Sequence, residues 1–483
     1  MTKEQEKQLL EAIYDRLFDA ITYQPSEGKN PFTAAETFIH FSKNAALDIK
    51  SFENPKTPSN PLGDLKASET FARMVDKVSP MSLEWENRND SLQKTYTDIV
   101  NGVNALTKPD EKAVAMYKKA YDYLHPTVTS KNPFTDEMVT ETSDSPDWVK
   151  YRTNMTAYTA AIASYRAGYN AYLDDLESSD EKVRSKADRK WQQIEPTLSS
   201  AVTTAQQTLS FGNAKYVEQA LAILDTTIND GVRQALMSAR EAVAKDRQYA
   251  SSLGNSEKWL FAYPSPANWT SSRDSATQLK ISGGNTKLRS SSTEHSFSVD
   301  TSLNYGLFSV KASAEGKFEH KNSSTDKDSV EISCDITKVD IMRPWFSESL
   351  FKLPNWSTNL AGKGQISNGK LDSTNAKSLI PMYPVAFIVA SNIVIKAAFS
   401  HEDQEIIKQA VSTSVSASYG PFSISGKYGY GNSKEASNAD FQNGEIRVPG
   451  MQIIGWVSRL VPLSPQTGEA VAPKAEAEVP VHA

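Results

Sequence analysis

Cysteine is almost absent. Cys334 stands alone among 483 residues, so no disulfide can form within the chain. The fold has to rest on packing, and a lone thiol in a run of strand-forming residues reads as a small hydrophobe, not a nucleophile. Long apolar runs are missing as well. The longest, Val385 to Ala390, falls far short of the ~20 residues that a spanning helix needs. Residues Met1 to Lys7 run straight into an amphipathic pattern with no signal-peptide apolar stretch. The expectation is a chain made soluble, either cytoplasmic or exported by a non-classical route.

Charge of one sign is also missing. Lys and Arg total 52 against 58 Asp and Glu, a formal net charge of −6. That leaves no electrostatic footprint for nucleic acid and no polybasic run for a membrane surface. The six histidines (His40, His125, His295, His320, His401 and His482) lack metal-ligand spacing. His401-Glu402-Asp403 has no second histidine, and Ser282-Gly283-Gly284-Asn285 lacks the Lys-Ser/Thr of a phosphate loop. No Gly-x-Ser-x-Gly elbow occurs. No catalytic, cofactor-binding or metal residue is assigned, and the chain is read as non-enzymatic.

What is present divides the chain in two. The expected class is α+β: an elongated helical bundle followed by a mainly antiparallel β domain. Residues 1–145 read as a helical region, 146–252 as long antiparallel helices, 256–462 as the β domain, and 463–483 (rich in Ala, Glu, Pro and Val) as a disordered tail. Leu10, Ile13, Leu17 and Ile21 set an apolar stripe for a helix over 2–23, with Thr2 and Gln5 at capping-box spacing. Further helices are expected near 33–45, 65–78, 84–106 and 110–124. Lys-Asn-Pro-Phe-Thr occurs at 29–33 and again at 131–135, which suits helix capping better than a ligand motif.

Trp148, Met155, Ile162, Tyr169 and Leu176 recur every seven residues, with Tyr151, Tyr158, Tyr165 and Tyr172 in the other seam position. That coiled-coil period requires a partner helix. Helices over 181–210, with Pro196 inside, and 214–250 supply candidates. The seam is read as core packing with phenol hydroxyls at its edge; exchange of partners on assembly is the sharper alternative.

The β half carries a duplicated hairpin, at 297–318 and 411–430. Phe297, Val299, Thr301, Leu303 and Tyr305 alternate with polar residues, parity switches at Gly306-Leu307, and Phe308, Val310, Ala312 and Ala314 continue. A two-residue turn produces that switch and pairs Tyr305 with Phe308. The pattern returns 114 residues later, where Tyr-Gly-Pro-Phe-Ser-Ile at 419–424 repeats Tyr-Gly-Leu-Phe-Ser-Val at 305–310. Strands are expected at 330–345, 385–399 and 445–457, with a short helix near 402–410. The cluster Trp345, Phe346, Phe351 and Trp356 either closes the core or forms a binding surface.

Two functions fit these hairpins. Their length and one-sided apolar face match membrane β-hairpins, so a pore-forming or toxin-like protein that inserts after assembly is expected. Two such hairpins per chain resemble the perforin-like toxins in general arrangement, without their glycine-rich signature. A lipid membrane and further copies of the chain would be the partners. Tyr305, Leu307, Phe308, Val310, Tyr419, Phe422 and Ile424 are the candidate membrane or assembly contacts. The rival is a structural, assembly or binding protein whose hairpins form an ordinary half-buried sheet. Gly316, Gly426, Thr301 and Thr413 break the apolar faces, and the aromatic tips suit the rival better.

Overall fold

Every long strand of the β half carries apolar residues on both faces, so each face needs a covering layer. A computed structural model shows how those layers are supplied. It describes residues 1–22, 37–43, 46–57, 60–85, 88–105, 111–131, 136–178, 180–210, 212–226, 231–246, 259–271, 276–285, 307–311, 318–321, 325–353, 356–413, 415–427, 429–433 and 435–466.

In the first part of the chain these form α1 (Lys3–Thr22), β1 (Thr37–Phe41), α2 (Leu65–Val75), α3 (Leu92–Asn101), β2 (Val103–Ala105), α4 (Glu111–Leu124), β3 (Thr127–Lys131) and β4 (Met138–Thr142). The long helices follow: α5 (Pro146–Glu177), α6 (Glu181–Ser210), α7 (Ala214–Thr226) and α8 (Gly231–Asp246). The β half holds β5 (Tyr263–Ser265), β6 (Thr277–Ser282), β7 (Phe308–Lys311), β8 (Phe318–Lys321), β9 (Glu331–Met342), β10 (Trp356–Thr358) and β11 (Met382–Lys396). It ends with α9 (His401–Thr413), β12 (Ala417–Tyr419), β13 (Phe422–Ser425), β14 (Asp440–Gln442) and β15 (Glu445–Leu460). The class is α+β.

The main sheet is antiparallel, in the order β1-β15-β11-β9, with β5 and β6 end to end along the far edge of β9 and β14 against β15. Ala386, Ile388 and Ala390 face one core together with α1; Phe387 and Val389 face another with Trp269, Trp456 and Phe71 of α2. A bulge at Asn392 interrupts the pairing of β11 with both neighbours. Asn392 takes φ +52°, a conformation asparagine tolerates, and its amide donates to Asp335 at 2.6 Å.

The middle of the predicted heptad seam is the α5–α6 contact, while its first residues, Trp148 and Tyr151, pack with α4 and α7. Ile162 and Tyr165 bury against Val202, with Tyr158, Tyr169, Trp191 and Leu198 around them. Tyr172 stacks on Trp191 at 5.4 Å, and its hydroxyl donates to Asp188 at 2.7 Å. The Tyr165 hydroxyl likewise donates to Glu195 at 3.4 Å, so these two phenols end on carboxylates of α6. Met155 and Leu176, two of the predicted seam residues, stay exposed. Arg16 pairs with Asp174, and Arg166 donates to the Ile21 carbonyl at 2.8 Å, tying α5 to α1.

Several expectations are corrected. The helix expected over 33–45 is replaced by strand β1, because Thr37-Phe38-Ile39-His40-Phe41 offers β-branched and aromatic residues to an open edge of β15. The region 1–145 is therefore not purely helical. The strand expected from Val411 begins only at Ala417, since Ile407 and Ala410 hold the preceding helix to Thr413. The single strand expected over 308–318 is two antiparallel strands, β7 and β8, so the chain reverses between them. Of the helix expected over 214–250, the described residues form α7 and α8. The first residues of the expected tail pair with the body: the Ser464 N–H donates to the Ser367 carbonyl at 2.9 Å. Residues 467–483 and both Asn-Pro-Phe motifs lie outside the described residues.

Candidate functional site

The duplication found in the sequence is a duplication of the sheet. β6 ends at Ser282 and β11 at Lys396; β9 begins at Glu331 and β15 at Glu445. Both pairs are separated by the same 114 residues as the hairpin motifs. Two intervals of 48 residues thus leave and re-enter one end of the main sheet. Their sheet partners match: Ser282 faces Glu331 with Ile281 opposite Ile332, and Lys396 faces Glu445 with Ile395 opposite Ile446.

The described parts of these two intervals meet in a small second sheet, ordered β13-β12-β7-β8. β7 and β13 occupy equivalent places in the two copies, again 114 residues apart. Gly420, at φ +55°, opens the predicted two-residue turn and sets Tyr419 opposite Phe422. The two copies join through β12 and β7, where Tyr419 faces Phe308, Ser418 faces Ser309, and Ala417 faces Val310. The Lys311 N–H donates to the Ser416 carbonyl at 2.8 Å and extends that ladder.

This second ladder is in register with the first. From the sheet pair Lys396 and Glu331 to the tip pair Ala417 and Val310, the chain runs 21 residues on each side. From Lys396 and Glu445 to Tyr419 and Phe422, it runs 23 residues on each side. If the intervening lengths were extended, the main-sheet pairings would run into the pairs Ala417–Val310, Tyr419–Phe422 and Ser418–Ser423; the β12–β13 ladder itself shifts by one residue beyond Ser418, where Ala417 meets Ser425.

Of the sequence-derived contact residues, Leu307, Phe308, Tyr419, Phe422 and Ile424 are buried together in one core, and Val310 is half-buried against it. Tyr305 lies outside the described residues. The core is closed by α1, whose Leu10 and Ile13 sit over Gly420 beside Leu307. Tyr14 of α1 accepts the Ile39 N–H at 3.0 Å and meets Phe41 edge-on. Burial pushes the Tyr419 phenol well above the usual tyrosine range, and the Asp403 and Glu6 carboxylates add to that shift. Thr325 donates to Asp403 at 2.6 Å, linking the interval before β9 to α9.

The opposite face of the small sheet is serine. Ser309, Ser418, Ser423 and Ser425 are all buried. The Ser423 N–H donates to Gln452 Oε1 at 2.6 Å, and Gln452 Nε2 donates back to the Ser423 carbonyl at 3.2 Å. Lys43, paired with Glu84 at 3.3 Å, donates to Ser309 Oγ at 3.3 Å. Burial draws the Lys43 ammonium below the ordinary lysine range, and Glu84 opposes that shift. The hydroxyls of Ser418 and Tyr419 have no partner among the described residues. Sequence reasoning missed Lys43 and Gln452. Gln452 had a signal, as a lone amide within Met451-Gln452-Ile453-Ile454; Lys43 had none.

The remaining candidates are mostly buried, with Phe346 only partly so. Trp345, Phe351 and Trp356 are buried beside Tyr96, whose hydroxyl accepts the Ser347 N–H at 3.1 Å. Cys334 is buried in the sheet core, which pushes its thiol above the usual range. Among the described residues no cluster of His, Cys, Asp or Glu could hold a metal ion, and no helix is long and apolar enough to cross a membrane. No protein-family model, curated protein or solved structure matches the chain.

Proposed function

We propose that the protein is a membrane-inserting, pore-forming protein, and that its two 48-residue intervals convert into β-hairpins that lengthen the main sheet. The observation that carries this is the matched register of the two ladders across the segments between them. A sheet with no second state has no reason to keep equal spacers on both sides of two separate interruptions. Each interval gives each strand about 24 residues, well above the ~9–11 that a tilted strand needs to cross a bilayer. Four strands per chain do not close a barrel, so the reading requires several copies.

The composition of the small sheet supports the same reading. Strands buried on both faces are ordinarily apolar on both. β7, β12 and β13 keep an apolar face and a serine face although both are buried here. That alternation suits lipid on one side and an aqueous lumen on the other. Releasing each large apolar side chain into water costs about 1.5–3 kcal/mol, which burial in hydrocarbon would return.

Dye-loaded vesicles test the proposal. The purified protein is expected to release the dye. A polarity-sensitive probe on single cysteines at 307–311 and 422–425 is expected to alternate between lipid-like and water-like emission on vesicles. Absence of both leakage and alternation would end the reading. One observation favours a second reading: the full burial of Leu307, Phe308, Tyr419, Phe422 and Ile424 is what an ordinary sheet in an assembly protein needs. Large stable oligomers formed without lipid, and no leakage, would select it.

A further inference from the structure

At the end of the main sheet opposite the two intervals, a cleft of about 510 Å³ opens between α5 and strands β9, β11 and β15. That volume lies in the range of small-molecule sites, about 300–1,000 Å³. Its walls combine two chemistries. Met155, Ile162, Phe346 and Val385 give an apolar surface. Four cations, Arg166, Lys338, Arg343 and Arg459, share the rest with only two carboxylates, Asp340 and Glu348.

The carboxylates are already engaged. Asp340 binds Lys338 at 2.9 Å, and Glu348 pairs with Arg459 beside Tyr383. Arg343 is different. Its terminal nitrogens donate to the Pro384 carbonyl at 2.6 Å and the Val75 carbonyl at 2.8 Å, and its Nε has no partner among the described residues. No carboxylate among the described residues forms an ion pair with it. The backbone carbonyls hold its guanidinium in place, and the Asp76 carboxylate, which accepts from Ser91 Oγ and the Gln93 N–H, offsets part of its charge without an ion pair. Burial lowers both the Arg343 and Arg166 guanidinium pKa values to about 10, so both remain charged near neutrality.

We propose that this cleft is a binding site for an amphipathic oxyanion: a carboxylate or phosphate head group on an apolar body. The head group sits near Arg343 and Arg166, whose planar donor forks match oxyanion geometry. The apolar body lies along Met155, Ile162 and Phe346. Because α5 forms one wall and the sheet the other, an occupant bridges the helical and β halves. A free fatty carboxylate and a phospholipid-like phosphate share this chemistry.

Calorimetric titration of the intact protein with decanoate, decyl phosphate, inorganic phosphate and decylamine tests the site. Saturable binding of decanoate, decyl phosphate or both is expected, and the stronger of the two identifies the head group. Binding about tenfold weaker or absent is expected for inorganic phosphate and for decylamine. Met155→Trp, at the exposed rim, is expected to occlude the cleft, and Lys338→Glu to weaken the anion about tenfold. Unchanged melting temperatures would show that both variants fold. Decylamine binding as well as decanoate, no saturable binding of either amphiphilic anion, or unchanged affinity in both folded variants would overturn the proposal. The readout is binding alone, so its failure is separate from any failure of membrane activity.

Discussion

The two sheets are buried alike and written differently. In the main sheet Ala386-Phe387-Ile388-Val389-Ala390 sends apolar side chains to both faces, and each face has an apolar core to receive them. In the small sheet Phe422-Ser423-Ile424-Ser425 is buried on both faces, yet every second residue is serine. The first pattern answers fully to the structure seen here. The second leaves a polar face among Lys43, Gln452 and a Ser418 hydroxyl with no partner among the described residues, an arrangement that costs stability. The contrast is the one that the proposed membrane-bound state would explain, and it can be broken or sharpened by experiment.

The largest effect is expected from fastening the small sheet down. Lys43→Cys with Ser309→Cys, bridged by a short bifunctional thiol reagent, ties β7 to the segment after β1, and vesicle leakage is expected to fall to background. The pair Ser309→Cys and Ser418→Cys is the control. These residues face each other here and would still do so in the lengthened sheet, so their disulfide is expected to leave leakage intact. Leakage from the first cross-linked protein would count against release of the small sheet.

In the main sheet, loss of packing should dominate instead. Trp456 stacks on Trp85 at 4.8 Å and meets Phe387 at 5.5 Å. Trp456→Ala is expected to cost about 3–5 kcal/mol of stability by denaturant unfolding.

Next comes His40, on the edge strand of the main sheet. It is fully buried; Nδ1 contacts the Ser82 carbonyl at 2.7 Å and Nε2 has no partner among the described residues. Burial lowers its pKa to about 4, against the hydrogen bond to Ser82, which raises it. The unfolded chain takes up this proton near the ordinary histidine pKa of about 6.5, before the folded chain does. Acidification therefore removes stability between roughly pH 6.5 and 4, by about 3 kcal/mol for this group. Urea unfolding at both ends of that window should show the loss, and His40→Gln should reduce it.

The smallest effect is expected at Ser418. Replacing its unpartnered hydroxyl in Ser418→Ala is expected to stabilise the folded state by about 1 kcal/mol and to slow leakage. Destabilisation by a similar amount would show that the hydroxyl is satisfied in solution.

Much of this architecture was legible in the sequence because it is periodic. The heptads of Trp148 to Leu176 required a partner helix; α6 covers the seam from Tyr158 to Tyr169, and α4 and α7 cover Trp148 and Tyr151. Alternation around Gly420-Pro421 required a tight hairpin there, and the 114-residue offset marked the repeat that the sheet then displays at Ser282, Lys396, Glu331 and Glu445. Local signals failed where a distant partner outweighed propensity. Residues 37–41 became a strand only because the β15 edge was open to them, and 411–413 stayed helical because Ile407 and Ala410 were already anchored. Which surfaces meet was beyond the sequence altogether. Periodicity states that a face must be covered but not by what. Only the tertiary structure put α1 over the turn at Gly420, set β7 of the first copy beside β12 of the second, and gathered Arg166, Arg343 and Arg459 from three distant elements around one cleft.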